Sequence, residues 1–253
     1  MTENKIALVT GGSRGLGKNM ALRLADYGSD VLITYHSQKE AANAVVSEIE
    51  AKNKKATALQ YDSSDFKSLD SFIEQVARTL QNKWNTSKFD FLINNAGIGA
   101  TIPFVKVTEA DFDRFMNIHF KSIYFLTQKL LPIMNDQGRI INISTGTTRF
   151  SNPGYSVYAS MKGAIEVFTK YLAKEIGSMG ITANVVAPGP IETDFNNAVI
   201  RNNPERKAIM ASLTALGRVG VAEDIGGIVA FLCSKDAGWI NGQRIEASGG
   251  INL

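Results

Sequence analysis

The stretch Thr10-Gly-Gly-Ser-Arg-Gly-Leu-Gly17 decides how this chain is read. It falls between a β-branched run, Ile6-Ala-Leu-Val9, and a segment with Leu16, Met20 and Leu24 at helical spacing, closed by Gly28. A plain strand-to-helix turn needs one or two glycines; here four stand within seven residues. Gly11, Gly15 and Gly17 let the backbone turn sharply and approach a ligand closely. The helix start behind them presents free N–H groups and a positive dipole end. Ser13, Arg14 and the backbone through Leu16 complete a cradle for the pyrophosphate of a dinucleotide. The same letters, Gly11-Gly-Ser13-Arg-Gly15, also match the elbow that presents a serine nucleophile in hydrolases. That chemistry needs a histidine late in the chain, and the only two, His36 and His119, lie in the first half. A Ser13 hydrolase is kept as a remote alternative.

Outward from this turn, apolar β-branched runs alternate with helical segments. Strands are expected at 6–9, 31–34, 56–61, 91–93, 139–143, 182–186 and 243–246, and helices at about 38–52, 66–82, 109–134, 157–178 and 222–233. Strand–helix alternation predicts right-handed crossovers and a doubly wound parallel sheet with helices on both faces. The expected fold is thus a seven-stranded α/β Rossmann domain covering residues 1–253. Residues 189–218 break the rhythm beyond a strand's C-terminal end, where a substrate lid is expected. Asn82 to Lys88 reads as a polar surface loop.

With 253 residues the chain can bury an ample core without staples. The single cysteine, Cys233, fits a reducing compartment. A charge of +3 with interleaved signs gives no basic stripe, which speaks against nucleic acid. The longest apolar run, Ile228 to Cys233, is far short of the roughly 20 residues that cross a membrane. The charged opening stretch lacks an apolar run long enough for a signal peptide. Neither histidine belongs to a metal-ligand cluster. A soluble cytoplasmic protein without metal is expected.

The second strand ends in Thr34-Tyr35-His36-Ser37, without the acid that binds an NAD ribose. Arg14 in the loop, with Ser37 and Lys39, suits an added 2′-phosphate instead. NADP(H) is therefore the expected cofactor, with Tyr35 flanking it. The pair Tyr158/Lys162 has helical spacing, but so does Tyr35/Lys39, and spacing alone decides nothing.

The ordered set of motifs does more. Thr10-Gly-x-x-x-Gly15-x-Gly17, Asp62, Asn94-Asn-Ala-Gly97, Asn142-Ile-Ser-Thr145, Tyr158-x-x-x-Lys162, Pro188-Gly189 and Gly249-Gly250 resemble the short-chain dehydrogenase/reductase family across the whole chain. Within it the look is of 3-oxoacyl reductase-like members. The resemblance implies a carbonyl reductase in which Asp62 and Ser63 contact the adenine and Asn95, Ala96 and Gly97 line a ribose. Pro188-Gly189, Ile191 and Thr193 would hold the nicotinamide carboxamide. Tyr158 would be the acid/base. Lys162, one helical turn on, would favour its phenolate together with the oxidised nicotinamide, and also bind the ribose.

Two departures from the family pattern stand out. The carbonyl-positioning serine lies thirteen residues before the tyrosine, which lands on Thr145; Ser144, the alternative, would point the other way from a strand end. His119 replaces an asparagine at a helix kink, either as a packed histidine or as a relay member titrating near neutrality. Tyr155, Phe150 and Phe195 either line a substrate pocket or belong to the core. Positions that are basic in carrier-dependent relatives hold Asp136 and Met179, which argues against acyl carrier protein as partner and for a small ketone, aldehyde or oxoacyl thioester. The two long helices carry an apolar excess, and the family resemblance implies that they join a homotetramer. A cofactor-binding sensor or scaffold without turnover is the second functional reading.

Overall fold

Alternation along the strands sorts their side chains to two faces. Strands β1 (Ile6–Val9), β2 (Asp30–Tyr35), β3 (Ala56–Gln60), β4 (Phe89–Asn94), β5 (Met134–Ile143), β6 (Thr182–Pro188) and β7 (Arg244–Ala247) form one parallel sheet in the order β3-β2-β1-β4-β5-β6-β7. This computed structural model describes residues 4–253, so the first three residues of the charged opening stretch lie outside the described residues. Ala7, Val9, Val31 and Ile33 face a core shared with helices α1 (Gly15–Asp26), α2 (Lys39–Glu50) and a late helix, α9 (Glu223–Cys233). Ile6, Leu8, Leu32 and Leu92 face the opposite core, built with α3 (Leu69–Trp84), α5 (Ser122–Leu130) and α6 (Ser156–Glu175). Side chains of period two, buried on both sides, are what a doubly wound sheet demands.

The chain reverses direction across the sheet between β1 and β4, so their C-terminal ends open a crevice at the switch point. Gly226 of α9 lets that helix close on α1: a Cβ there would stand 2.0 Å from Asn19 Oδ1 and 2.9 Å from Arg23 Cγ. Gly226→Ala is expected to lower stability by about 1–3 kcal/mol, read as a drop in the urea midpoint. An unchanged midpoint would mean that the two helices can part freely.

Three expectations are corrected. The helix expected over 109–134 is α4 (Glu109–Met116), a π turn at Asn117–Lys121, then α5, ended by a 3-10 turn holding Pro132. The apolar period runs through the extra residue of the π turn, so pattern alone hides it. The stretch 82–88 is not all surface loop: α3 continues to Trp84, whose Nε1 donates to buried Asp30 at 3.0 Å, and Asn85 ends the helix at φ 54°. β5 begins at Met134, not Arg139, through one pairing with Phe89 before a register shift.

Residues 189–218 leave the sheet beyond β6. They contain a single turn, α7 (Phe195–Ala198), and helix α8 (Pro204–Ser212), capped by Asn203. Within α7, Asn196 and Asn197 take left-handed φ of 51° and 56°, a region that asparagine tolerates better than most residues. Among the described residues, no helix is long and apolar enough to cross a membrane. No group of three or more His, Cys, Asp or Glu is placed to hold a metal among them either.

Candidate active site

The glycine turn is pinned from three sides. Gly11 N–H donates to Thr34 Oγ1 at 3.0 Å and Gly12 N–H to Thr34 O at 2.8 Å. From β4, the Asn95 amide donates to Thr10 O at 2.9 Å and Gly11 O at 3.2 Å, while Asn95 and Ala96 N–H share the Thr10 hydroxyl. A Cβ at Gly17 would sit 2.1 Å from Gly11 O, and Gly11 itself has φ +65°. No side chain caps the start of α1, so its first-turn N–H groups stay available to an anion. This cradle fits a dinucleotide pyrophosphate. Asn95, expected to line a ribose, has its amide nitrogen committed to the loop backbone, and Thr10 and Thr34 are the loop supports that sequence reasoning passed over.

Around the turn and the end of β2, Arg14, His36, Ser37 and Lys39 are exposed, and no carboxylate lies in residues 36–39 directly after β2. The nearest acid, Asp62 beyond β3, accepts from Ser64 N–H at 2.8 Å and Ser64 Oγ at 2.6 Å, and stands 3.3 Å from His36 Nε2. Burial pushes its pKa up, but the Ser64 bonds and His36 outweigh that and hold the carboxyl below its usual range. Tyr35 is buried at the β2 end.

Tyr158 and Lys162 meet where α6 crosses the ends of β5 and β6. Both are buried, with Lys162 Nζ 5.8 Å from the Tyr158 ring centre and 2.7 Å from Ile143 O. Burial alone pushes the Lys162 ammonium down to about 8. Burial raises the Tyr158 phenol, Tyr155 adds to the rise, and the Thr145 hydroxyl opposes it. In the protein alone desolvation dominates at Tyr158; the phenolate expected from Lys162 is one that the oxidised nicotinamide would help to favour.

Thr145 and Ser144 diverge. Thr145 presents its hydroxyl to Tyr158, while Ser144 Oγ turns away and donates to Glu166 Oε1 at 2.7 Å. Glu166 also accepts from Thr148 Oγ1 at 2.7 Å and Arg244 Nε at 2.9 Å. Arg244 in turn bonds Thr145 O at 3.2 Å and Glu246 at 2.9 Å, and Glu246 receives Arg149. This ionic chain braces the turn carrying Thr145. Its members come from three separate segments, 144–149, 166 and 244–246, which is why sequence reasoning missed its ionic partners. Only Glu166 left a trace, four residues after Lys162 on the same helix.

His119 sits in the π turn, fully buried, its ring 5.5 Å from Phe115 and 5.2 Å from Tyr158 between centres. Nε2 lies 2.8 Å from Ile98 O, and Nδ1 has no partner. Burial first, and then Lys162, drive its pKa well below the usual value. That environment favours the neutral ring, which packs against Gly97.

On the substrate side, Tyr155 and Phe195 flank Tyr158 at ring-centre distances of 6.4 and 6.1 Å. Phe150 lies instead behind the Thr145 turn, against Gly146. Thr193 stands over Gly15, and Ile191 bridges to Gly220, so the segment after Pro188-Gly189 reaches back to the glycine turn. Ser13 has no histidine partner: His119 is tied to Ile98 and His36 lies beside Asp62, which removes the hydrolase alternative.

A glycine cradle at the switch point, one crevice away from a buried Tyr–Lys pair, is the arrangement of oxidoreductases that work on a bound dinucleotide. A family model described as enoyl-(acyl carrier protein) reductase matches residues 11–252. The chain is 37% identical over 255 residues to 3-oxoacyl-(acyl-carrier-protein) reductase FabG of Staphylococcus aureus, covering 100% of both chains. The angucycline C-6 ketoreductase LanV, solved with bound NADP, superposes with a TM-score of 0.94 at 36% identity, covering 98% of this chain and 96% of its own. A blue fluorescent protein from a metagenomic library, in complex with NADPH, gives 0.91 at 38% identity over 100% of both. The chain belongs to the short-chain dehydrogenase/reductase family and is an oxidoreductase of its 3-oxoacyl reductase-like branch.

Proposed function

We propose that this enzyme reduces the carbonyl of a small molecule to an alcohol, with Tyr158 as proton donor. The single observation that carries the reading is the buried Tyr158 with Lys162 Nζ 5.8 Å from its ring centre. The cofactor is NADP(H), which supplies the hydride. Gly11, Ser13, Gly15, Leu16 and Gly17 hold its pyrophosphate, and Arg14, Tyr35 and Ser37 meet the 2′-phosphate end. Asp62 and Ser63 take the adenine, while Asn95, Ala96 and Gly97 border a ribose. Pro188, Gly189, Ile191 and Thr193 form the nicotinamide wall. Thr145 orients the substrate carbonyl and Tyr155 and Phe195 border it. His119 acts as a neutral positioning residue that presses on Gly97. Lys162, held by Ile143 O, returns a proton towards Tyr158 after each turnover. Residues 189–218 close over the substrate.

Exposed apolar side chains on α5 and α6, among them Tyr124, Val167 and Tyr171, support a homotetramer joined through these helices. We place the protein in the cytoplasm, in keeping with its one buried free cysteine. The test is NADPH consumption against a panel of ketones, diketones, sugars and oxoacyl thioesters, with Tyr158→Phe as control. Binding of NADPH with no turnover on any of them would favour a sensor over an enzyme.

The two hydroxyls of the turn separate cleanly. Thr145→Ala is expected to lower kcat/KM by about ten- to a hundredfold, the loss of a hydrogen bond made at the reacting oxygen. Ser144→Ala should lower thermal stability more than activity, since it strips a bond from half-buried Glu166. Equal activity losses in the two variants would contradict this division.

A further inference from the structure

The mouth of the pocket holds more hydrogen-bond donors than the protein can satisfy. Three converge on the phenol oxygen of Tyr155: Thr101 Oγ1 and Asn196 Nδ2, each at 3.2 Å, and Arg206 Nη2 at 3.4 Å. That oxygen offers two lone pairs and carries a proton of its own. The distances are all longer than the usual 2.9–3.0 Å of a good N–H···O bond. Asn196 Nδ2 has one further partner, Thr101 Oγ1, at 3.5 Å.

The charges on the lid single out Arg206. Arg201 is paired with Asp194 at 2.6 Å, Lys207 with Glu192 at 2.6 Å and Arg218 with Asp224 at 2.6 Å. Arg206 is half-buried and, among the described residues, is the one cation of 189–218 without a carboxylate. It points inward, to a tyrosine whose ring is 6.4 Å from that of Tyr158. The left-handed backbone at Asn196 brings its amide to the same point, pinned where Gly99 leaves no room for a Cβ.

We propose that this cluster binds the carboxylate of the substrate, and that the substrate class is a short-chain oxo acid. Thr101, Tyr155, Asn196 and Arg206 present four donors, matching the roughly four acceptor positions of a carboxylate. Tyr155 then turns its own O–H towards the anion. The ketone lies against Tyr158 and Thr145, so carbonyl and carboxylate sit a few bonds apart in one small molecule. The proposal rests on the reductase reading above and adds to it the charge of the substrate.

The experiment compares 3-oxobutanoate and 4-oxopentanoate with their methyl esters, each with NADPH. The wild-type enzyme is expected to prefer acid over ester by about ten- to a hundredfold in kcat/KM, mostly through KM. The ratio should fall to near one in Arg206→Gln and persist in Lys207→Gln, whose ion pair lies outside the cluster. An acid preference that is absent, or that survives Arg206→Gln, overturns the proposal. So does an Arg206-dependent preference for acetoacetyl-CoA over the N-acetylcysteamine thioester without any acid preference, since the anion would then be a phosphate of the carrier arm. A second measurement needs no turnover: butyrate should raise the melting temperature of the NADPH-loaded protein in a saturable way, and not that of Arg206→Gln. No rise in the wild-type protein sinks the carboxylate site. A rise without reduction of any ketone leaves the site standing and fails the reductase reading instead.

Discussion

Tyr158→Phe is expected to cut kcat by about 10²–10⁴-fold, the usual share of a positioned general acid. The ring keeps its packing against Phe115, His119 and Phe195, so the fold should not register the change. What is lost is one hydroxyl, raised in pKa by burial and hence protonated throughout the neutral range. A phenol in that state carries the proton that reduction needs, but it yields it only to a stronger base such as the alkoxide formed at the substrate oxygen. The measurement is single-turnover NADPH oxidation with a turned-over ketone, beside NADPH binding by fluorescence. A kcat within fivefold of wild type would assign the proton to another group.

Lys162→Met should be as damaging to turnover and opposite in its effect on stability. Burial lowers the Lys162 pKa from 10.5 to about 8. Between those values the unfolded chain holds a proton that the folded one has shed, so stability contributed by this site rises with pH across that window. Below pH 8 both states are charged and the full penalty is present, worth about 3 kcal/mol. Above 10.5 it vanishes. Stability of wild type relative to Lys162→Met is therefore expected to climb by about that amount from pH 7 to 10.5, in urea titrations at stepped pH. The comparison matters because Cys233, raised to about 12 by burial, pulls the wild-type curve the other way above pH 9 in both proteins. A flat difference would mean that Lys162 is solvated in solution.

The fold was legible because its information is local. Period-two burial, glycine at turns with φ of +55° to +65°, and helix-length spacing are all properties of a few neighbouring residues. The Tyr158/Lys162 pair was legible only through the ordered motifs around it, since Tyr35/Lys39 has the same spacing. What escaped was information spread across the chain. Arg244 reaches Glu166 from 78 residues away and Arg149 reaches Glu246 from 97, and no spacing rule joins them. Arg206 differs from the other cations of 189–218 only in their ion pairs, which no local pattern shows. Burial at Tyr158 and His119 escaped for a related reason, since sequence shows the partner charge and hides the desolvation.

The π turn at Asn117–Lys121 carries one residue more than an α-helix of the same rise. Insertions and deletions inside a helix ordinarily rotate everything beyond them by about 100° and scramble the buried face. Here the surplus residue is already present, so removing one residue from 117–121 restores regular helix and leaves α4 and α5 in phase. The segment is thus a place where the gene can lose one codon with the scaffold intact, while His119 shifts off Gly97 and Ile98. Fold and chemistry are separately heritable at this one point of the chain.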